Sequence, residues 1–144
     1  MFIVEGKDKK GRQLFWYRPD MLKKSEGAQQ RERNKKLTVY LFEKMDRQYT
    51  NEGWYPVVDA SRMTKDNVDM DFYLFCLNIY MVYYPRSVKY LIGMYIPSAL
   101  DEFVKTLMDL MDDELKNRIK FLKYKELTDN YVDAKFVPLY VPRT

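Results

Sequence analysis

The sequence predicts an α/β fold in which a mostly parallel sheet is covered by helices. Between residues 54 and 124, short apolar runs alternate with stretches of helical periodicity, as parallel strands alternate with crossover helices. The chain has 144 residues, 47% of them hydrophobic, so it is long enough for one core and too short for two full domains. Its longest apolar run, 72–84, is well below the ~20 residues that a bilayer requires and predicts a buried helix.

The first fifty residues predict a β-hairpin followed by a helix. Two apolar runs, 2–4 and 13–17, lie on either side of a charged turn between Gly6 and Gly11, which is a hairpin pattern. From about residue 31 to residue 49, apolar side chains recur at helical spacing and predict one amphipathic helix.

The rest of the chain continues the alternation of strand and helix. Residues 54–59 and 88–96 are apolar runs that predict buried strands, and the helix between them is expected over 66–84. A strongly amphipathic helix is predicted to begin at Ser98, a good N-cap. The remaining predicted elements are a strand over 119–124, a short helix over 126–132 and an extended tail from 136.

The residue types exclude most familiar catalytic chemistry. Without histidine, the chain lacks Ser-His-Asp triads and histidine-bearing metal sites. The single cysteine, Cys76, has no disulfide partner and is expected to be buried as a small hydrophobe. No pair of glycines matches a nucleotide-binding loop, and Asp66, Asp69 and Asp71 lack the glycine and glutamate of a calcium loop. We expect no cofactor, no metal ion and no enzymatic activity.

Aromatic residues make up 16% of the chain, including 13 Tyr, and 9 Met accompany them. This mixture is typical of either a dense core or a cavity that holds an apolar ligand. An interior cavity larger than roughly 300 Å³ would favour a ligand. A filled interior would favour the alternative function, a protein-interaction or adaptor module that binds a protein partner through its surface.

The net charge of +4 is unevenly distributed, with basic ends around an acidic middle. Such segregation suits contact with an anionic membrane surface, although single clusters are more often solvated surface. Near the N-terminus the aromatic residues among the basic ones are spaced as strand core, and no RNP-type motif is present, so no nucleic-acid partner is expected. No secretory signal opens the sequence, and a cytoplasmic location, peripheral at membranes, is expected.

Several motifs in order resemble one family of lipid-binding domains. Residues 7–16 are similar to the family's opening strand pair, and 57–59 to its central strand, which ends in aspartate. The helix end Tyr83-Tyr84-Pro85, followed by the strand and proline of 91–97, is similar to its YYP signature, and 100–118 to its gate helix. The chain thus resembles the CRAL-TRIO lipid-binding domain, most closely the branch of motile sperm domain-containing protein 2.

The resemblance implies a fold and a function. The fold is a mixed, mostly parallel sheet that forms the floor of a pocket covered by helices, one of them an amphipathic gate. The domain would span 1–144, without the helical region that usually precedes it. The function is non-catalytic binding, with transfer, of a hydrophobic lipid ligand. The residues expected to line the pocket are Trp16, Val58, Phe75, Ile79, Ile92, Met94, Ile96, Phe103, Leu107, Leu110 and Met111.

Polar and basic residues near the gate are expected to contact the headgroup and the membrane. Where phosphoinositide-binding members of the family have a glutamate, a threonine and a lysine, this chain has Arg86, Leu115 and Arg118. Only the cation of Arg118 is kept, so we expect Arg118 to contact the ligand without phosphatidylinositol specificity. When the gate opens, three lysines are expected to meet anionic lipids: Lys116, Lys120 and Lys123.

Overall fold

A computed structural model describes residues 3–21, 27–49, 53–84 and 87–144. Parts of three predicted features lie outside these residues: Phe2 of the hairpin, the proline of the YYP motif and Arg86. Within the described residues, no helix combines the length and the apolar character that a membrane span needs.

The described strands form one sheet in which spatial order follows chain order. The two strands of the N-terminal hairpin pair antiparallel, and each later strand pairs parallel to the strand before it. The predicted mixed, mostly parallel sheet is therefore confirmed. The strands are β1 (Ile3–Lys7), β2 (Gln13–Tyr17), β3 (Trp54–Asp59), β4 (Leu91–Met94) and β5 (Ile119–Leu122).

Helices connect the parallel strands. The helix α1 (Ala28–Tyr49) joins β2 to β3, and α2 (Met70–Val82) joins β3 to β4. Between β4 and β5 lie α3 (Asp101–Asp109) and α4 (Asp113–Arg118), and α5 (Tyr124–Asn130) follows β5.

The chain order of the strands determines which face of the sheet each segment covers. Crossovers between parallel strands are right-handed, so successive crossovers that advance in one direction lie on the same face. The described residues fit this rule, because α1, α2 and α3 share one face. The opposite face is covered by residues that follow β5. Its buried cluster comprises Leu14, Trp16, Tyr55, Val57, Ile92 and Met94 of the sheet with Leu127, Val132, Val137 and Val141.

Two predicted helices begin later than expected. Residues 65–67 form a short 3₁₀ turn, and Asp69 is the N-cap of α2 because its side chain accepts the N–H of Phe72 at 3.2 Å. Ser98 lies within another 3₁₀ turn and does not cap α3.

The predicted gate helix is two helices. Residues 110–112 break it, and the Asp112 carboxylate accepts the N–H of Leu115 at 2.7 Å as the N-cap of α4. The segment predicted as a gate therefore comprises α3, a break at 110–112 and the short, capped helix α4 before β5.

The predicted strand 88–96 pairs only from Leu91 to Met94. Val88 makes a single bridge to Trp54. At the other end, Tyr95 has a φ of 56°, which turns the chain away from the sheet. The Tyr95 hydroxyl accepts the N–H of Tyr124 and donates to the carbonyl oxygen of Thr144, each at 2.8 Å, so two bonds hold this conformation.

Candidate functional site

A cavity of about 260 Å³ lies between the sheet and the helices α1, α2 and α3. Its floor is the sheet, because residues that alternate along each strand point to the same face. The floor residues include Phe15 and Tyr17 of β2; Trp54, Pro56 and Val58 of β3; Leu91 and Gly93 of β4; and Ile119 and Phe121 of β5.

One row of residues across this floor explains why position 93 is a glycine. Strand register aligns Tyr17 with Val58, Val58 with Gly93, and Gly93 with Phe121. A Cβ atom at Gly93 would lie 3.2 Å from Cδ1 of Ile96 and 3.3 Å from Cδ1 of Phe121. Gly93 therefore keeps the floor low at the centre of the row, where any side chain would press on two cavity-lining residues.

The wall that faces the floor is one stripe of α2. Its residues recur at spacings of one, three and four, as one side of a helix requires. They are Phe72, Tyr73, Cys76, Leu77 and Tyr80. Their neighbour α1 completes the wall with Thr38, Phe42 and Met45.

The lid of the cavity is α3. Four of its side chains line the cavity, namely Phe103, Val104, Leu107 and Met108, yet no residue of α3 is fully buried. One ring contact joins the lid to the wall, since the rings of Phe103 and Tyr73 meet edge-on with centroids 5.4 Å apart. The lid thus covers the cavity with apolar side chains that are only half-buried.

Six of the predicted pocket residues line this cavity: Val58, Ile92, Ile96, Phe103, Leu107 and Met111. They come from two strands, the loop after β4, the lid and the break that follows it. Ile92 borders the cavity and also belongs to the core of the opposite face.

The other predicted pocket residues lie elsewhere. Trp16 and Met94 belong to the packed core on the other face, because they alternate with the floor residues of β2 and β4. Phe75 and Ile79 point from α2 into the cluster with α1, and the ammonium of Lys35 lies 5.3 Å from the centre of the Phe75 ring. Leu110, at the end of the lid, is 53% exposed.

Arg118 also lies away from the cavity. Its guanidinium donates to the carbonyl oxygen of Val88 at 3.2 Å and forms an ion pair with Glu114 at 2.5 Å. Both bonds hold the cation at the end of α4, so it does not contact the cavity. The lysines expected at the membrane lie in or near the same segment. Lys116 and Lys120 are half-buried, and Lys123 is exposed.

Electrostatics make the cavity a site for uncharged groups. None of the described residues that line it carries a charge. Burial raises the pKa of the Cys76 thiol to about 12, and burial raises the pKa of Tyr80 as well. Both side chains stay protonated at neutral pH, and the thiolate on which cysteine reactivity depends is suppressed.

The sequence pattern does not single out the polar members of the wall. Tyr17, Tyr73 and Tyr80 line the cavity, as does Thr38, whose hydroxyl donates to the carbonyl oxygen of Asn34 at 2.8 Å. Helical spacing places residues 73, 76 and 80 on one stripe, but α2 is apolar on nearly every side, so the pattern does not show which stripe faces the cavity.

The cavity volume falls slightly below the roughly 300 Å³ that separates ligand sites from packed interiors. The interior nevertheless is not filled. A cavity of this size with an uncharged lining suits a compact or single-chain hydrophobic molecule.

Comparisons with known proteins bear on this arrangement. The family model described as CRAL/TRIO domain matches residues 1–141. CRAL-TRIO domain-containing protein C365.01 of Schizosaccharomyces pombe (strain 972 / ATCC 24843) is 26% identical over 147 residues, which cover 96% of this chain and 41% of that protein. This chain thus spans about two-fifths of the length of that relative. CRAL-TRIO domains bind hydrophobic lipids and are generally not enzymes. With nearly its whole length matched and a mixed sheet beneath an apolar cavity, the chain belongs to the CRAL-TRIO domain family.

Proposed function

We propose that this domain binds a hydrophobic lipid ligand in the cavity between the sheet and α3 and transfers it at a membrane surface without catalysis. The observation that carries the proposal is the uncharged, aromatic- and methionine-rich lining of a cavity that lies beneath an amphipathic helix. Burial of an apolar ligand there removes hydrocarbon surface from water, at roughly 25 cal/mol per Å². Further parts of the proposal are a cytoplasmic location, peripheral at membranes, and closest kinship with the branch of motile sperm domain-containing protein 2.

The lid supports entry of the ligand from a membrane. Its apolar side chains are half-buried against the cavity, and its opposite side carries Asp101, Glu102, Lys105 and Asp109, which are exposed. Outward movement of α3 would present its apolar stripe to a bilayer interface, where such a helix is stabilised.

Basic and apolar residues after the lid supply the contact with the bilayer. Leu110 is 53% exposed and Phe121 is 51% exposed, although both are large and apolar. Lys116, Lys120 and Lys123 lie in the same stretch and form no ion pair with another described residue. Near an anionic leaflet each such cation contributes about 1 kcal/mol.

The adaptor alternative requires a filled interior and a protein partner on the surface. The cavity argues against it, because the aromatic rings and methionines of its lining border a space that no described side chain fills. We therefore propose the lipid ligand as the partner of this domain.

Native mass spectrometry tests the binding. Purified protein is stripped of lipid and incubated with liposomes of neutral and anionic phospholipids that also contain uncharged hydrophobic molecules such as long-chain alcohols. The protein is then separated from the liposomes, and its mass is measured. One lipid-sized adduct per chain is expected. Protein that acquires no adduct and that purifies without lipid would contradict the proposal.

A charge-reversal variant tests the membrane contact. Replacing Lys116, Lys120 and Lys123 together with glutamate should weaken sedimentation with anionic liposomes at least tenfold at low salt, because three attractive charges become repulsive. The loss should be much smaller at high salt. The matched control replaces the exposed lysines Lys10, Lys36 and Lys44 with glutamate, for the same change in net charge. Equal losses in both variants would show a dependence on net charge and not on this segment.

A further inference from the structure

The cavity is lined by a cluster of three tyrosine hydroxyls and one cysteine thiol. Tyr73, Cys76 and Tyr80 lie on one stripe of α2, and Tyr17 projects from β2 beside them. These groups lie close enough to influence one another's ionisation, since Tyr73 and Cys76 both raise the pKa of Tyr17 after the larger effect of burial. The cluster is thus one polar patch in a lining that is otherwise almost wholly apolar.

The hydroxyls of Tyr17 and Tyr73 are buried and lack a satisfactory hydrogen bond. Neither makes one of acceptable geometry with any other residue that the structure describes, although the two hydroxyls lie close enough to interact with each other. Even a bond between the two would leave one O–H donor without an acceptor, because only one of the two hydroxyls can donate to the other. Buried polar groups are nearly always paired, so an exception in a cavity wall points to a partner from outside the chain.

Three tyrosines outside the cavity wall have hydroxyls with clear partners. The Tyr55 hydroxyl donates to the carboxylate of Asp8 at 2.8 Å, and the Tyr84 hydroxyl donates to the carboxylate of Glu43. The Tyr95 hydroxyl both donates and accepts. The cavity wall thus differs from the surroundings of Tyr55 and Tyr84, each of which offers a carboxylate to the buried hydroxyl.

The surroundings restrict the partner to an uncharged group. The described lining holds no cation that could pair with a carboxylate or phosphate, and Arg118 is bonded away from the cavity. A desolvated anion without a cation is strongly disfavoured. Burial also raises the pKa of Tyr17, Tyr73 and Tyr80, which keeps them neutral donors and acceptors. The volume of about 260 Å³ suits one chain or a compact ring system.

We propose that Tyr17, Tyr73 and Tyr80 recognise the single oxygen, a hydroxyl or a carbonyl, of an uncharged single-chain or compact hydrophobic molecule. This inference rests on the proposed function, since it assumes that the cavity holds a ligand. Selectivity for the enclosed ligand then comes from the wall of the cavity and not from the basic segment after the lid. Phospholipids with charged headgroups would meet the basic segment from outside and would not be the molecule enclosed.

Three probes of equal chain length test the proposal: decan-1-ol, decane and decanoate. The affinity of each probe is measured by its displacement of a fluorescent apolar dye. The measurement is made on the lipid-stripped protein and on the variants Tyr17→Phe, Tyr73→Phe and Tyr80→Phe. Each variant removes a hydroxyl and keeps the ring. At least one should bind decan-1-ol roughly three- to tenfold more weakly, the value of one neutral hydrogen bond, and decane as tightly as before. Comparing variants with one probe cancels the hydration of the probe. The control is Tyr83→Phe, because Tyr83 is 69% exposed and lies past the end of α2.

The outcomes separate this inference from the proposed function. If decane displaces the dye but every tyrosine variant binds decan-1-ol as the parent does, the inference fails and the proposed function stands. Decanoate that binds as tightly as decan-1-ol at pH 8 would also overturn it. If neither the dye nor any probe binds, both fail.

Stability of the lipid-stripped protein gives a second measurement. The double variant Tyr17→Phe/Tyr73→Phe should leave the unfolding midpoint unchanged or raise it, because it removes two buried hydroxyls that have no acceptable partner among the other described residues. A lowered midpoint would show that these hydroxyls are bonded to other groups of the chain, which would overturn the proposal.

Discussion

The two faces of the sheet are built from neighbouring residues of the same strands, yet they are covered differently. On one face Leu14, Tyr55 and Met94 are wholly buried against residues that follow β5. On the other, Phe15 and Val58 look into a cavity beneath three helices. The difference does not come from strand composition, because both faces are apolar. It comes from what covers each face.

Topology supplies the physical reason. The crossover helices are fixed at both ends by strands, so their distance from the sheet is set by the loops as well as by packing. The segment after β5 crosses the other face without having to return to a further described strand, and its apolar side chains fill the space available. One face therefore behaves as a packed core and the other as a covered floor.

The largest expected effect compares a leucine on each side. Leu127 in α5 is 0% exposed, and Leu107 in α3 is half-buried against the cavity. Leu127→Ala should lower the free energy of unfolding by about 2–5 kcal/mol because it opens a new void in a close-packed core. Leu107→Ala should lower it by less than about 1.5 kcal/mol, because it only enlarges an existing cavity. Urea unfolding measures both, and equal losses would mean that the lid is packed as tightly as the core.

A smaller effect compares adjacent valines on opposite faces. Val57 is fully buried in the packed core, and Val58 lies on the cavity floor. Val57→Phe should cost about 1–3 kcal/mol through overpacking. Val58→Phe should change stability by less than about 1 kcal/mol, since the ring enters the cavity, and should reduce lipid uptake in native mass spectrometry. Unfolding of both variants at the same urea concentration would contradict the contrast.

The smallest effect concerns alkaline pH and is confined to the cavity face. Burial raises the pKa of Cys76 from about 9 to about 12, so the folded protein keeps a proton that the unfolded chain loses as pH rises above 9. The contribution of Cys76 to the free energy of unfolding is constant below pH 8 and falls between about pH 9 and 12. Cys76→Ala should reduce the loss measured between pH 8 and 10 by about 1 kcal/mol. An identical pH profile in the variant would show that the thiol is accessible to solvent.

The order of strands and helices could be predicted from the sequence, because the spacing of apolar residues and the positions of turn residues indicate these elements directly. The hairpin, the crossover helix α1 and the strand β3 lie close to where the patterns predict them. The strongly amphipathic α3 also revealed its inner side, and Phe103 and Leu107 were predicted to face the pocket. In α3 the polar and apolar residues lie on clearly separate sides of the helix, so the sequence indicates which side faces inward.

The faces of the other elements could not be predicted in this way. The strand β2 reads Gln-Leu-Phe-Trp-Tyr and has four adjacent apolar residues, so nothing in it separates Trp16, in the core, from Phe15 and Tyr17, on the floor. In α2, likewise, Phe75 and Ile79 differ from Tyr73 and Tyr80 only in the direction they point. Direction in such segments is set by the partner they pack on, which lies far away in the sequence.

The strand order has a consequence for how the protein is made. A ribosome releases β1 to β5 in the order in which they pair, so each parallel strand finds its neighbour already synthesised. The cavity face has its floor, walls and lid once β5 has emerged. The core of the other face waits for Leu127, Val132, Val137 and Val141, which emerge after β5. Until then the nascent chain displays Leu14, Tyr55 and Met94 to the cell, and this apolar surface is where a chaperone would bind.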